Sequence, residues 1–411
     1  MMLACTTTAT QDMVRIGDLV LSPPNPEYAL PSANISFSVL PSGLCDQIIK
    51  TFRLERLKDV SQLGLLLLCG ERLPHTRFEH SMCVMAIATC IGVNIGLNAQ
   101  QLKTLRIAAL VHDGMTPALS DSLILANFAL LSEDVNFSKI LDDTEWRTFS
   151  QKFGVSKKML CTIVGGNGVL GSILKIADRI AYTALDFECC KGIFARNAFQ
   201  PGIKEILSET AQYPQFCDAW ECVRVSQYGQ TYFEDTERLC TFLRIRALMT
   251  REVYKNPENR RAECLFSTAL PHVFSTEALK AMARASDIEV LANTARLFDI
   301  SAADMLAAFS SVGSLCFHGE TDARCFIQTV RRGGGLAYQA TPPPQAKAST
   351  GFLVPNEKTI APLSETRPKA CAHIAEILTR GPGTWTRFLI ATNPANNSII
   401  EKLRTLAPFA A

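Results

Sequence analysis

The feature that most constrains this chain is an apolar periodicity of three and four residues, sustained from about Leu44 to Thr250, with alternating β-branched runs rare. Such spacing lines one face of an α-helix and does not suit a pleated strand, so the predicted fold class is mainly α. One of the apolar segments is headed by a histidine, and the next ends in one. "PHTRFEHSMCVMAIATC" predicts a helix beginning near His80, and "LRIAALVHDGMTPALSDS" follows a helix predicted to end with His112 and Asp113. The chain has only 6 histidines in 411 residues, so their placement carries information.

The hydrophobic share of 47% and charged share of 19% describe a globular chain and exclude disorder as its main theme. Lys+Arg at 41 against Asp+Glu at 39 leave a formal charge of +2. That balance gives no bulk signal for nucleic acid or an anionic membrane. The 15 cysteines are scattered through apolar segments, among them Cys69, Cys83, Cys90 and Cys161, and no signal peptide is read ahead of them. Buried thiols in a reducing compartment are expected, and with them a cytoplasmic location. The adjacent Cys189 and Cys190 lack the partners that a zinc site needs. No apolar run approaches a membrane span, since "LGLLLLCG" is stopped by Glu71 and Arg72.

The chain divides by composition. Residues 1–43, with Pro23, Pro24, Pro26 and Pro31, read as an irregular N-terminal arm, and 44–250 as the helical core. Residues 251–330 continue the helical period, with Ser301 as a candidate cap. The glycines and prolines of "RRGGGLAYQATPPPQAKAST" mark a linker over 331–364, and 365–411 form a small C-terminal segment around "ACAHIAEILTR". "VGGNGVLGS" lacks the Lys-Ser/Thr ending of a phosphate-cradling loop and reads as a turn.

Imidazole nitrogen and carboxylate oxygen together suit a divalent cation such as manganese, iron, magnesium or zinc, and an adjacent His-Asp pair offers two ligands from one turn. A third helix completes the set. In "SILKIADRIAYTALDF", Lys175, Asp178, Tyr182 and Asp186 share one stripe of an otherwise apolar helix. "RFEHS", then "HD", then "DRIAYTALD" resembles the HD-domain phosphohydrolases. The resemblance implies an HD-type core whose metal is held by His80, His112, Asp113 and Asp178.

The upstream "FRLERLKDVSQLGLLLLCGERLPHTRFEHS" is similar to the deoxynucleoside triphosphate triphosphohydrolase branch of that family. By that likeness Gln62 would touch the sugar, Arg77 the phosphates, and Tyr182 and Asp186 the nucleoside; Lys175, which no motif fixes, is a candidate to steady phosphate charge beside Arg77 or else a solvated lysine. The implied reaction is attack at the α-phosphorus, releasing deoxynucleoside and triphosphate, by a chain that relatives suggest is a homo-oligomer. The resemblance covers roughly residues 44 to 190.

The chain departs from the family in its acid-base residues. "HDGMTPALSD" has Asp121 where a histidine is expected, and no histidine lies between Asp113 and Asp178. Asp121 and Glu133, or Asp134, are the candidate replacements. The alternative is a catalytically impaired member that binds nucleotide or metal in a regulatory role. His75 is either a phosphate neighbour or a structural loop histidine, and His272, His318 and His373 are read as structural.

Overall fold

The computed structural model describes residues 47–66, 75–141, 144–256, 274–297, 301–305, 351–356 and 359–379. It adds the backbone of 42–46 and of a few short strands, and the isolated positions 263, 266, 325, 328 and 329. The fold is mainly α. Three helices form its centre: α1 (Arg77–Asn94), α2 (Ala99–Val111) and α3 (Gly168–Arg196).

Each begins where local chemistry dictates. Thr76 accepts the backbone N–H of Glu79 while the Glu79 carboxylate accepts that of Thr76, a reciprocal cap that starts α1 one turn before His80. Asn98 and Gln101 repeat the arrangement for α2. Ahead of α3, Gly166 and Gly168 adopt φ of 79° and 70°, so "VGGNGVLGS" is a turn, as its glycines predict.

Helix α1 is buried on nearly every face and packs on both α2 and α3, as an all-round apolar helix must. Around it lies one contiguous core running from Ile48 to Val253, including Phe194, Phe216, Phe233 and Phe242. Helix α4 (Thr236–Met249) closes this core and continues into a π-helical turn, Thr250–Tyr254. Beside it, Val223–Val225 pairs antiparallel with Thr231–Phe233, with Val223 opposite Phe233.

A second apolar cluster joins the extension to the loop after α2. Leu279, Met282, Val290 and Leu291, the last two on α5 (Asp287–Leu297), pack with Leu65, Ala118, Leu119, Leu123 and Leu131. The segment between α1 and the preceding turns also approaches that loop. Gly64 has φ 52°, and any Cβ there would collide with the Leu119 carbonyl oxygen and the Ser122 hydroxyl.

The structure departs from the predicted boundaries downstream. Within the stretch read as a linker, Leu353–Asn356 pairs antiparallel with Thr359–Pro362, and a helical turn follows at Leu363–Thr366. Val354 and Leu363 are fully buried in the main core, joined by Cys371, Ile374 and Ile377 of the helix Pro368–Thr379. The glycine- and proline-rich composition ends earlier than the predicted boundary, and apolar burial takes over. Trp385–Ile390 also pairs with Ser314–Phe317 and Leu336–Ala337, so the C-terminal segment and the extension share a sheet. In the N-terminal arm, Met13–Arg15 pairs with Ser38–Pro41.

Among the described residues no single helix is long and apolar enough to cross a membrane. The pair Lys157–Val164 and α3 has the length and composition together, but it bends by 48° and its apolar side chains line the core. Cys83, Cys189, Cys190, Cys217, Cys222, Cys240 and Cys371 are buried free thiols, with burial pushing Cys83 and Cys189 up to about 12. Cys69 lies outside the described residues.

Candidate metal centre

His80 stands one turn into α1, His112 caps the C-terminal end of α2, and Asp178 lies in the first half of α3. The mutual packing of these helices brings the three side chains together, with ligand-capable atoms all within 4.8 Å of one another. Asp178 Oδ1 is 3.0 Å from His80 Nε2 and 3.7 Å from His112 Nε2, and the imidazole centroids are 5.4 Å apart. His112 Nδ1 donates to the Ala109 carbonyl oxygen at 2.8 Å. That bond commits Nδ1 as the donor and turns Nε2 toward the cluster, the nitrogen that would give its lone pair to a cation in exchange for its proton.

Asp113 stands beside this trio. Its Oδ1 is 3.3 Å from His112 Nε2, while its Oδ2 accepts from Arg77 Nη1 at 2.9 Å and lies 3.7 Å from His80 Nε2. Burial favours the neutral carboxyl of Asp178, yet the imidazoles of His112 and His80 beside it hold it well below the usual carboxylate range. Burial likewise opposes a charged His112, but Asp113 and Asp178 overcome it and push the imidazole up to about 9. The Asp178 carboxylate and two imidazoles converge on one partly buried point with the Asp113 carboxylate beside it, and this donor set fits a divalent cation.

Arg77 is buried, and its guanidinium is already committed. Besides Asp113, its Nε donates to the Ser120 hydroxyl at 3.0 Å, and Nη2 lies 3.7 Å from Asp121. Asp121 itself is 73% exposed, whereas Glu133 is half-buried near Arg77, with Oε2 sealed from solvent and without a hydrogen-bond partner among the described residues. Burial, reinforced by Asp121 and Asp113 against Arg77, pushes Glu133 up to about 8. The Asp134 side chain lies outside the described residues.

The α3 stripe continues into a second polar group. Tyr182 accepts a hydrogen bond from Arg246 Nε at 2.6 Å, and its ring meets that of Tyr254 edge-on at 6.2 Å. Asp186 is buried, accepts from the Tyr254 hydroxyl, and faces His75 Nε2 at 3.4 Å. Burial pushes Asp186 up to about 7 and His75 well below its ordinary value. His75 is thus a neutral interior group, its Nδ1 3.1 Å from Cys189 Sγ. Gln62 is also buried, its Oε1 without a hydrogen-bond partner among the described residues, and its backbone N–H donates to the His75 carbonyl. Lys175 is exposed, with its stem lying over Gly166.

Sequence reasoning missed four residues here. Arg179 follows Asp178 directly but sits off the stripe. Its guanidinium is half-buried over the Phe352 ring and is lowered by burial and by nearby Arg246. Arg246 and Tyr254 arrive from α4 and the π-helical turn, and π-helical turns often occur at functional sites. Asp287, at the start of α5, accepts backbone N–H groups from two site loops. None of the four carries a local motif. Of the histidines read as structural, His373 is exposed beside Glu376, and His272 and His318 lie outside the described residues.

No protein-family model matches the chain. A curated protein of Methanocaldococcus jannaschii, described as uncharacterized, is 34% identical over 140 residues, spanning 34% of this chain and 29% of that protein. Two solved structures match along most of their length. One is a hypothetical protein from Aquifex aeolicus, with TM-score 0.59 and 18% identity over 88% of this chain and 94% of that one. The other is a phosphohydrolase from Bacteroides thetaiotaomicron, with TM-score 0.55 and 14% identity over 87% and 98%. The chain shares their fold.

Proposed function

We propose that the chain is a metal-dependent phosphohydrolase acting on nucleotides, hydrolysing deoxynucleoside triphosphates to deoxynucleoside and triphosphate. The observation that carries this reading is the convergence of His80, His112 and Asp178, with the His112 ring oriented by the bond from its Nδ1 to Ala109 so that Nε2 faces the cluster. A divalent cation there supplies Lewis acidity toward a phosphoryl oxygen and activates water. The fold shared with a phosphohydrolase supports the reaction class.

The chain's own residues supply the rest. His80, His112 and Asp178 would hold the cation, with Asp113 as a fourth donor steered by Arg77. Arg179 and Arg246 bring positive charge beside Asp178 and Tyr182, where a phosphate tail would need it. Asp186, with its proton retained up to about pH 7, and the orphaned Gln62 Oε1 both suit hydroxyls of a sugar. Glu133 is the better placed of the two carboxyls to carry a proton, because Asp121 is solvated.

A second reading, a regulatory protein that binds nucleotide or metal without turnover, is favoured by one observation. Arg77 spends its guanidinium on Asp113 and Ser120 instead of leaving it open to phosphate. The two readings separate when stripped protein is reloaded with manganese or iron and incubated with the four deoxynucleoside triphosphates while triphosphate release is followed. Release that vanishes in His112→Ala with Asp113→Ala establishes the hydrolase. Metal and nucleotide binding without release establishes the regulator, and absence of metal binding removes both.

A further inference from the structure

The extension reaches the centre through two buried carboxylates. Asp287, the first residue of α5, accepts the backbone N–H of Ser61 at 2.8 Å on Oδ2 and that of Leu119 at 2.6 Å on Oδ1. Glu263 accepts from the Ser122 hydroxyl at 3.3 Å, and that hydroxyl in turn accepts the Leu65 N–H at 3.0 Å. The two loops so joined are the one that carries Gln62 and the one that follows Asp113.

What Asp287 holds is a strained turn. Leu119 and Ser120 have φ of 56° and 49°, conformations that L-residues keep only when their surroundings impose them. Ser120 uses the geometry on both sides, because its hydroxyl donates to the Ser61 carbonyl and accepts Arg77 Nε. Arg77 then holds Asp113, whose carboxylate faces both histidines. Arg56 secures the start of the same loop, donating to the Thr116 carbonyl at 2.6 Å with its charge toward Asp287. A continuous path of hydrogen bonds therefore runs from α5 to the metal-ligand candidates.

We propose that Asp287 is a positioning residue for the site: by bridging the Ser61 and Leu119 amides it sets the Ser120 turn that aims Arg77 and, through it, Asp113. The role of Asp113 in this statement rests on the metal reading above, while the loop geometry does not. The extension is then a working part of the site and more than an appended domain. An isosteric amide cannot replace the carboxylate, because Asn accepts at one oxygen only and would point its NH₂ at the other amide.

The test uses the full chain with Asp287→Asn, Ser120→Ala, the double variant, and Leu291→Ala, which trims a buried contact of α5 without touching the bridge. Hydrogen exchange is followed by mass spectrometry in peptides covering 61–66 and 114–122, and Mn²⁺ affinity by electron paramagnetic resonance. Asp287→Asn should accelerate exchange in both peptides while α1 stays protected, and weaken Mn²⁺ binding roughly tenfold, as loss of an outer-shell partner does. The double variant should bind Mn²⁺ no more weakly than Ser120→Ala alone, because both cut one path. Leu291→Ala should keep its Mn²⁺ affinity.

Wild-type exchange in Asp287→Asn overturns the proposal, as does a Leu291→Ala variant that matches it in both readouts. If Asp287→Asn does not fold, Ser120→Ala decides alone, and unchanged Mn²⁺ affinity with unchanged exchange overturns the path. If the wild type binds no Mn²⁺, the hydrolase reading fails, and the exchange data still decide whether Asp287 sets the turn.

Discussion

Asp178 Oδ1 lies 3.0 Å from His80 Nε2, although the two residues belong to helices separated along the chain by all of α2 and by further short helices, among them Thr144–Phe153 and Lys157–Val164. The contact is buried on the histidine side and 34% exposed on the aspartate side. One end of the pair is therefore fixed in the core and the other opens toward solvent, which is what a site needs if it is to admit a ligand without disturbing its scaffold. The surrounding charges test that arrangement in several ways.

Arg77→Ala should destabilise the metal-free protein by roughly 3–5 kcal/mol, because it removes the guanidinium hydrogen-bonded to the buried Asp113 carboxylate and leaves its charge to the two histidines. Urea denaturation with and without Mn²⁺ checks it. The cation should recover part of the loss by compensating Asp113. A loss below roughly 1 kcal/mol would mean that Asp113 does not depend on Arg77.

Glu133→Gln should lower kcat by roughly 10²- to 10⁴-fold while KM and Mn²⁺ affinity stay near wild type, since the amide keeps the volume and loses the proton. Asp121→Asn should do much less, because that carboxylate is already in water. Steady-state kinetics on both variants suffice. Wild-type kcat in Glu133→Gln would remove this residue from proton transfer.

Asp186 predicts a pH dependence. Burial raises its carboxyl from 3.8 to about 7, so the folded chain retains a proton that the unfolded chain releases. The stability this provides is complete below about pH 4 and is lost as pH rises through about 7. Asp186→Asn leaves an oxygen for the Tyr254 hydroxyl and removes the titration. Calorimetry should show the wild-type melting temperature falling across that interval and the variant losing that part of the slope. Parallel curves would contradict the assignment.

Gly64→Ala should cost roughly 1–3 kcal/mol, since its φ is positive and the added methyl group meets the Leu119 carbonyl. Chemical denaturation measures the loss directly. A neutral substitution would show that the two loops can separate without penalty.

The helices that carry the candidate ligands were legible because their signals are local. Three-and-four spacing marks α1, α2 and α3, and His112 and Asp113 fall where α2 ends. The start of α1 was placed a turn late because the Thr76–Glu79 cap outweighs the apolar pattern. The strands at 353–362 were missed because the neighbouring prolines and glycines dominate the composition, while burial of Val354 and Leu363 depends on a core assembled from distant residues.

The sequence by itself determined that this chain is helical, that His80 and Asp178 lie on two of its helices and that His112 and Asp113 stand where a third ends, because helix propensity, periodicity and capping act over a few residues. Only the tertiary structure decided that Arg77 turns to Asp113 and Ser120, that Tyr254 meets Asp186, and that Asp287 bridges Ser61 and Leu119. Such pairings satisfy buried charges and amides with whatever partner the packed core presents, and that partner has no fixed distance along the chain.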